Sequence, residues 1–145
     1  EKKSGAKSLQ LVLDSNQFLF TYGHERKASC QALLGRIVAH PEKYEIKVCR
    51  TIVEEVRRNI APRNFGDFWG LLEALGITVD EDWQVPFELG AKYEALRLKR
   101  GDAFIGAYTE WTGARCLISE NRDFLALHHL PFKILRAEQF LAHHP

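Results

Sequence analysis

Apolar and polar positions along the chain switch between two periods. Short runs with strand character, at Leu9–Leu13, Tyr44–Cys49, 77–79, 115–118 and 132–135, are separated by stretches whose apolar residues recur at helical spacing. The pattern predicts helices over Ser15–Tyr22 with Ser15 as cap, and over 28–40 with Leu33, Leu34, Ile37 and Val38 on one face. Further helices are expected over 51–60, over 64–75 with Gly76 as the stop, and over 86–99. The last two span 102–112, opened by Asp102 and closed by Gly113, and 137–142. Strands separated by helices of this length imply βαβ units, hence an α/β domain with a mostly parallel sheet and helices on both faces. Right-handed crossovers then bring the C-terminal ends of the strands to one edge.

That edge is where the chemistry gathers. The greasy run Leu11-Val12-Leu13 leads straight into Asp14, and a buried carboxylate is costly unless it is paired or binds a cation. Thr51-Ile52-Val53-Glu54 has capping-box spacing, which gives Glu54 a structural role and leaves Glu55 to face the crevice. Asp102 opens the helix leading to the fourth strand, and that strand runs into Ser119-Glu120-Asn121-Arg122-Asp123. Each acid also has a plainer reading: Asp102 as an N-cap, Asp123 as a turn residue. Together they form a set of oxygen ligands suited to Mg²⁺ or Mn²⁺, which often take only one or two carboxylates and fill the rest of their shell with water and phosphate. Arg57, Arg58, Lys99, Arg100 and Arg122 flank these acids and could grip phosphates, or be ordinary surface charges.

Composition narrows the class without changing this picture. With 145 residues, 46% hydrophobic, 27% charged and a net charge of +1, the chain reads as one ordinary globular domain over 9–145, and a strongly basic nucleic-acid-coating protein is excluded. Residues 1–8 read as a flexible linker or remnant. They carry no apolar signal-peptide core, and no run is long enough to span a membrane, so a cytoplasmic location is expected. Cys30, Cys49 and Cys116 are expected as reduced buried thiols. The pairs His128-His129 and His143-His144 lack the spacing for zinc. The aromatic stretches 18–22 and 65–69 are expected mainly in the core, with a partner interface as the alternative, and Trp83 and Trp111 as packing residues.

Four anchors give the chain a resemblance to the PIN-domain ribonucleases, a family that includes the toxin subunits of many toxin–antitoxin pairs. They are Leu11-Val12-Leu13-Asp14-Ser15-Asn16, Thr51-Ile52-Val53-Glu54-Glu55-Val56, Gly101-Asp102-Ala103-Phe104-Ile105-Gly106-Ala107 and Cys116-Leu117-Ile118-Ser119-Glu120-Asn121-Arg122-Asp123-Phe124. The resemblance implies a three-layer α/β/α sandwich around about five strands. It also implies Mg²⁺- or Mn²⁺-dependent hydrolysis of RNA phosphodiester bonds by water, leaving a 5′-phosphate. Asp14, Glu55 and Asp102 match the family's three metal-binding acids. The fourth acid's place holds Asn121, with Asp123 two residues on as a substitute. Ser15 and Thr51 would orient the acids, while Lys99, Arg100 and Arg122 would contact substrate. An antitoxin protein or a second copy would be the partner, docking on the aromatic helices. Two rivals remain: a non-catalytic PIN-like scaffold binding RNA or protein, and a haloacid-dehalogenase-type phosphatase. The second is ranked low because Asn16 stands where that chemistry needs an Asp.

Overall fold

The computed structural model describes residues 8–145, so all but the last residue of the expected N-terminal linker lies outside the described residues. Five strands, β1 (Leu9–Leu13), β2 (Tyr44–Cys49), β3 (Val79–Asp80), β4 (Cys116–Ile118) and β5 (Lys133–Leu135), form one sheet in the order β3-β2-β1-β4-β5. Every pairing is parallel. Central β1 pairs Val12 with Lys47 on one side and with Leu117 on the other. Leu11, Val12 and Leu13 are fully buried, which is why a strand covered on both faces reads as an unbroken apolar run.

Eight α-helices occur among the described residues: α1 (Ser15–Tyr22), α2 (Ala28–Ala39), α3 (Arg50–Asn59), α4 (Pro62–Ala74), α5 (Phe87–Glu94), α6 (Arg100–Thr112), α7 (Arg122–Leu125) and α8 (Ala137–His143). The strand order reverses direction after β3. Right-handed crossovers therefore put α1 to α4 on one face and α5 and α6 on the other, giving the α/β/α sandwich. Phe18 of α1 meets Phe68 of α4 edge-on, 4.8 Å between centroids, and both rings are fully buried. Phe20, Tyr22, Phe65 and Trp69 are half-buried around them. Across the sheet, α5 lies against α6 because Gly106 leaves room: a Cβ there would come within 2.7 Å of the buried Tyr93 ring. Cys30, Cys49 and Cys116 are buried and unpaired.

The departures from the sequence pattern have local causes. The helix expected over 86–99 stops at Glu94, and Arg97 takes a left-handed conformation (φ 68°) before α6 begins. Strand 77–79 shrinks to Val79–Asp80. Ile77 is still engaged in ending α4, donating its N–H to the Leu72 carbonyl while Gly76, at φ 68°, donates to that of Glu73. Ser15 does not cap α1; Asp14 does, accepting from the Ser15 N–H. The Thr51–Glu54 capping box is absent because α3 starts one residue earlier, at Arg50. Asp82 satisfies this end instead, accepting from the Thr51 N–H (3.1 Å) and hydroxyl (2.7 Å), and Glu54 pairs with Arg57. Asp102 is not the cap of α6 but its third residue, since Lys99 holds the cap position. Three residues expected to pack are exposed: Val38 by 51%, Trp83 by 81%, and Trp111 by 38% although its ring meets that of Tyr108.

Candidate active site

Asp14 is only 3% exposed, although it lies at the mouth of the sheet. Its Oδ1 accepts from the Ser15 N–H at 2.7 Å, and its Oδ2 accepts from the Ser119 hydroxyl at 2.7 Å and from Asn16 Nδ2 at 3.2 Å. Adjacent strands impose this geometry. The Asp14 N–H donates to the Ile118 carbonyl, so the ends of β1 and β4 stay side by side and Ser119 follows directly. Glu55, on the second turn of α3, accepts at Oε1 from the Ser15 hydroxyl at 2.9 Å. Asp102, in the first turn of α6, accepts at Oδ2 from Asn121 Nδ2 at 3.0 Å. Asn121 also donates its own N–H to Ser119 Oγ (3.0 Å) and caps α7 by accepting from the Asp123 N–H (2.9 Å). Asp14, Ser15, Glu55, Asp102, Ser119 and Asn121 thus form one connected group drawn from the start of α1, from α3 and α6, and from the loop between β4 and α7.

The group is electrically frustrated. Burial pushes the Asp14 carboxyl up from 3.8 to about 7; the Ser119 hydroxyl and the Ser15 N–H pull it down, while the charges of Glu55 and Asp102 raise it further. Glu55 is raised too, first by burial and then by Asp102, against the lowering pull of the Ser15 hydroxyl and Arg58. Among the described residues none of the three acids is in an ion pair. The donor set is oxygen only, which fits a hard cation such as Mg²⁺ or Mn²⁺. No three His, Cys, Asp or Glu side chains among the described residues converge into a ready coordination shell. The fit is therefore to an open site in which one or two carboxylates act with water, as Mg²⁺ commonly accepts.

The fold is similar to that of a chain in the crystal structure of FitAcB from Neisseria gonorrhoeae. The TM-score is 0.59, with 14% sequence identity, over 88% of this chain and 98% of that chain. The fold is PIN-like. No protein-family model matches the sequence, and no curated protein matches it. At this identity the likeness speaks for architecture alone. No helix among the described residues is long and apolar enough to cross a membrane.

Within the PIN-like frame, the other expected site residues fall into two groups. Asn121 joins the acids, whereas Asp123 is exposed and its carboxylate makes no hydrogen bond among the described residues. Thr51 is tied to Asp82 rather than to Glu55. Arg57, Arg58, Lys99, Arg100 and Arg122 are exposed. Arg57 is held over the Phe65 ring at 4.4 Å, and Arg58 is near enough to act on Glu55. Sequence reasoning missed how much Asn16 does: its Nδ2 reaches Asp14 and Ser119 (3.4 Å), and its Oδ1 accepts from the Glu120 N–H and from Gln17. A polar residue two places after the acid was the available signal. Gly101 was missed as well. A Cβ there would lie 2.9 Å from Glu55 Oε2, so glycine is what lets α3 and α6 close over the acids. Gly101→Ala is expected to leave thermal stability unchanged or slightly raised, because alanine favours the helix by about 0.5–1 kcal/mol and the obstructing atom is the end of a flexible side chain. Any activity that depends on Glu55 should fall about tenfold or more. A melting curve paired with a turnover assay reads both, and equal activity in the variant would remove Glu55 from the site.

Proposed function

We propose that this chain is a divalent-metal-dependent ribonuclease that hydrolyses RNA phosphodiester bonds. The observation that carries the reading is Asp14: a buried carboxylate in no ion pair among the described residues, fixed by three donors, with Glu55 and Asp102 close enough to raise its affinity for protons. A protein gains nothing in stability from such a cluster, whereas a cation bound there would relieve it. Asp14 and Asp102 would hold Mg²⁺ or Mn²⁺, with Glu55 joining directly or through water. The ion would supply Lewis acidity and neutralise charge developing on the phosphodiester. Ser119, Asn16 and the Ser15 N–H fix the Asp14 carboxylate, and the Ser15 hydroxyl fixes that of Glu55. Asn121 holds Asp102 from the β4 side. Arg58 and Arg100, exposed on the two helices that carry Glu55 and Asp102, would bind the flanking phosphates. A cytoplasmic toxin with an antitoxin partner is the biological setting that the PIN resemblance suggests. The test is cleavage of single-stranded RNA with Mg²⁺ or Mn²⁺ against a chelator control. Products carrying 5′-phosphate support the reading, and intact RNA under every divalent condition overturns it.

The non-catalytic scaffold draws support from one observation: both ends of the Asn121 amide are already engaged, by Asp102 and by the Asp123 N–H, where a fourth acid would stand. Asn121→Asp separates the two readings. The new carboxylate keeps the cap on α7 but replaces a hydrogen bond to Asp102 with repulsion, so metal-free stability should drop by about 1–3 kcal/mol at neutral pH. Mn²⁺ affinity, followed by calorimetric titration, should rise. An affinity unchanged or weaker than that of the wild type would count against a cation at these acids.

A further inference from the structure

The most exposed large apolar side chains of the described residues are Trp83 (81%) and Phe87 (86%), either side of Pro86. Neither ring stacks on another ring among the described residues. They border a groove of about 390 Å³ whose floor includes Phe104 and whose rim includes Glu94 and Arg100. The groove and the acid group share the first turn of α6: Arg100 lines the groove, Gly101 abuts Glu55, and Asp102 belongs to the acid group. The surrounding charge is mixed, with three cations ahead of the acids on α6. Arg97, Lys99 and Arg100 are exposed, and none is in an ion pair among the described residues. Of the nearby acids, Glu81 is paired with Arg50 and Asp82 accepts from Thr51, while Glu88 and Glu94 are exposed.

Exposed flat rings beside unpaired cations are how proteins hold single-stranded nucleic acid, with bases stacked on aromatics and phosphates tracked by positive charge. We propose that Trp83 and Phe87 form a stacking platform for unpaired bases of a single-stranded RNA, with Arg100 carrying its backbone from the groove to the acids. The inference rests on the ribonuclease reading for its substrate class. It also gives the site a specificity that the acids alone do not supply: a base held in a duplex cannot open onto these rings.

The test is run with a chelator present, so that binding is measured without cleavage. Short single-stranded RNA is titrated into the full chain while tryptophan fluorescence and anisotropy of a labelled RNA are recorded, with duplex RNA of the same sequence as control. Single strands should quench the fluorescence and bind more tightly than duplex. Trp83→Leu and Phe87→Leu should each weaken binding about 5- to 100-fold, and Trp83→Leu should remove most of the quench. Both side chains project into solvent, so circular dichroism should show both variants folded. Binding by the two variants within about twofold of wild type overturns the platform, as does no binding of RNA by the wild type. Wild-type self-association that Trp83→Leu abolishes, seen by sedimentation, also overturns it in favour of a second copy on these rings. The two readings fail separately. Ring-dependent binding without cleavage in Mg²⁺ or Mn²⁺ leaves the platform and removes the nuclease; cleavage with an unchanged KM in the ring variants leaves the nuclease and removes the platform.

Discussion

Asp14→Asn is expected to abolish divalent-metal-dependent RNA cleavage, and Asp102→Asn to come close to doing so. Loss of a side chain that only orients a metal ligand typically lowers activity 10- to 100-fold. Removing a charge at the cation itself should exceed the upper end of that range. Asp14 stands to lose most because it is the buried member and lies at the centre of the group, bonded to Ser15, Asn16 and Ser119. A single-turnover assay at saturating RNA separates the chemical step from binding. Cleavage by Asp14→Asn at more than about a tenth of the wild-type rate would remove this residue from the reaction.

The second large effect appears in stability and has the opposite sign. With its carboxyl raised to about 7 by burial, Asp14 binds a proton more tightly in the folded chain than in the unfolded one. Its contribution is fully present below the ordinary value of 3.8, is lost as pH rises toward 7, and stays lost above it. At about 1.4 kcal/mol per pH unit the difference is roughly 4 kcal/mol, and the upward shift of Glu55 acts in the same direction. Other carboxylates oppose this trend. Glu110 is lowered by Lys92 despite some burial, and Glu120 is lowered by the Ala137 N–H, Gln17 and Lys27 against the pull of burial; both lose their contributions in acid. The clean comparison is therefore wild type against Asp14→Asn in chelator, by denaturant unfolding across pH. The variant should gain stability steadily between pH 4 and 7 and remain ahead at pH 8. Mg²⁺ should then narrow the gap by stabilising the wild type alone. Parallel stability curves would mean that Asp14 titrates normally.

The sheet and its helices were legible because their signals are dense. β1 ends in the unbroken apolar run Leu11-Val12-Leu13, and Gly76 and Pro62 mark ends that need only local chemistry. Asp14 could be read as odd because an acid at the end of Leu11-Val12-Leu13 has no local reason to be there. Caps were harder. Ser15, Thr51 and Asp102 all have the side chains of good caps, but the register of a helix start is set by what approaches it. For α3 that is Asp82, thirty-one residues away in sequence and brought near only when β3 pairs with β2. The choice between Asn121 and Asp123 was closed to sequence for the same reason. A single turn of helix, α7, turns one side chain toward Asp102 and the other to solvent, and no periodicity shows in so short a segment. Trp83 misled because tryptophan is usually buried, and composition does not report which large ring is left outside.

The hydrogen bond from Ser119 to Asp14 spans most of the chain. Its consequence lies in the order of synthesis. A ribosome that has produced β1, β2 and every helix through α6 has made all three acids, yet Asp14 still lacks the neighbouring strand and hydroxyl that hold it in place. The site can be assembled only once β4 and the residues after it have emerged and docked. On the ribonuclease reading proposed above, a chain cut short before β4 could not hold Asp14 in place and so could not cut the message being read. Truncated chains released early should be inert rather than partly active.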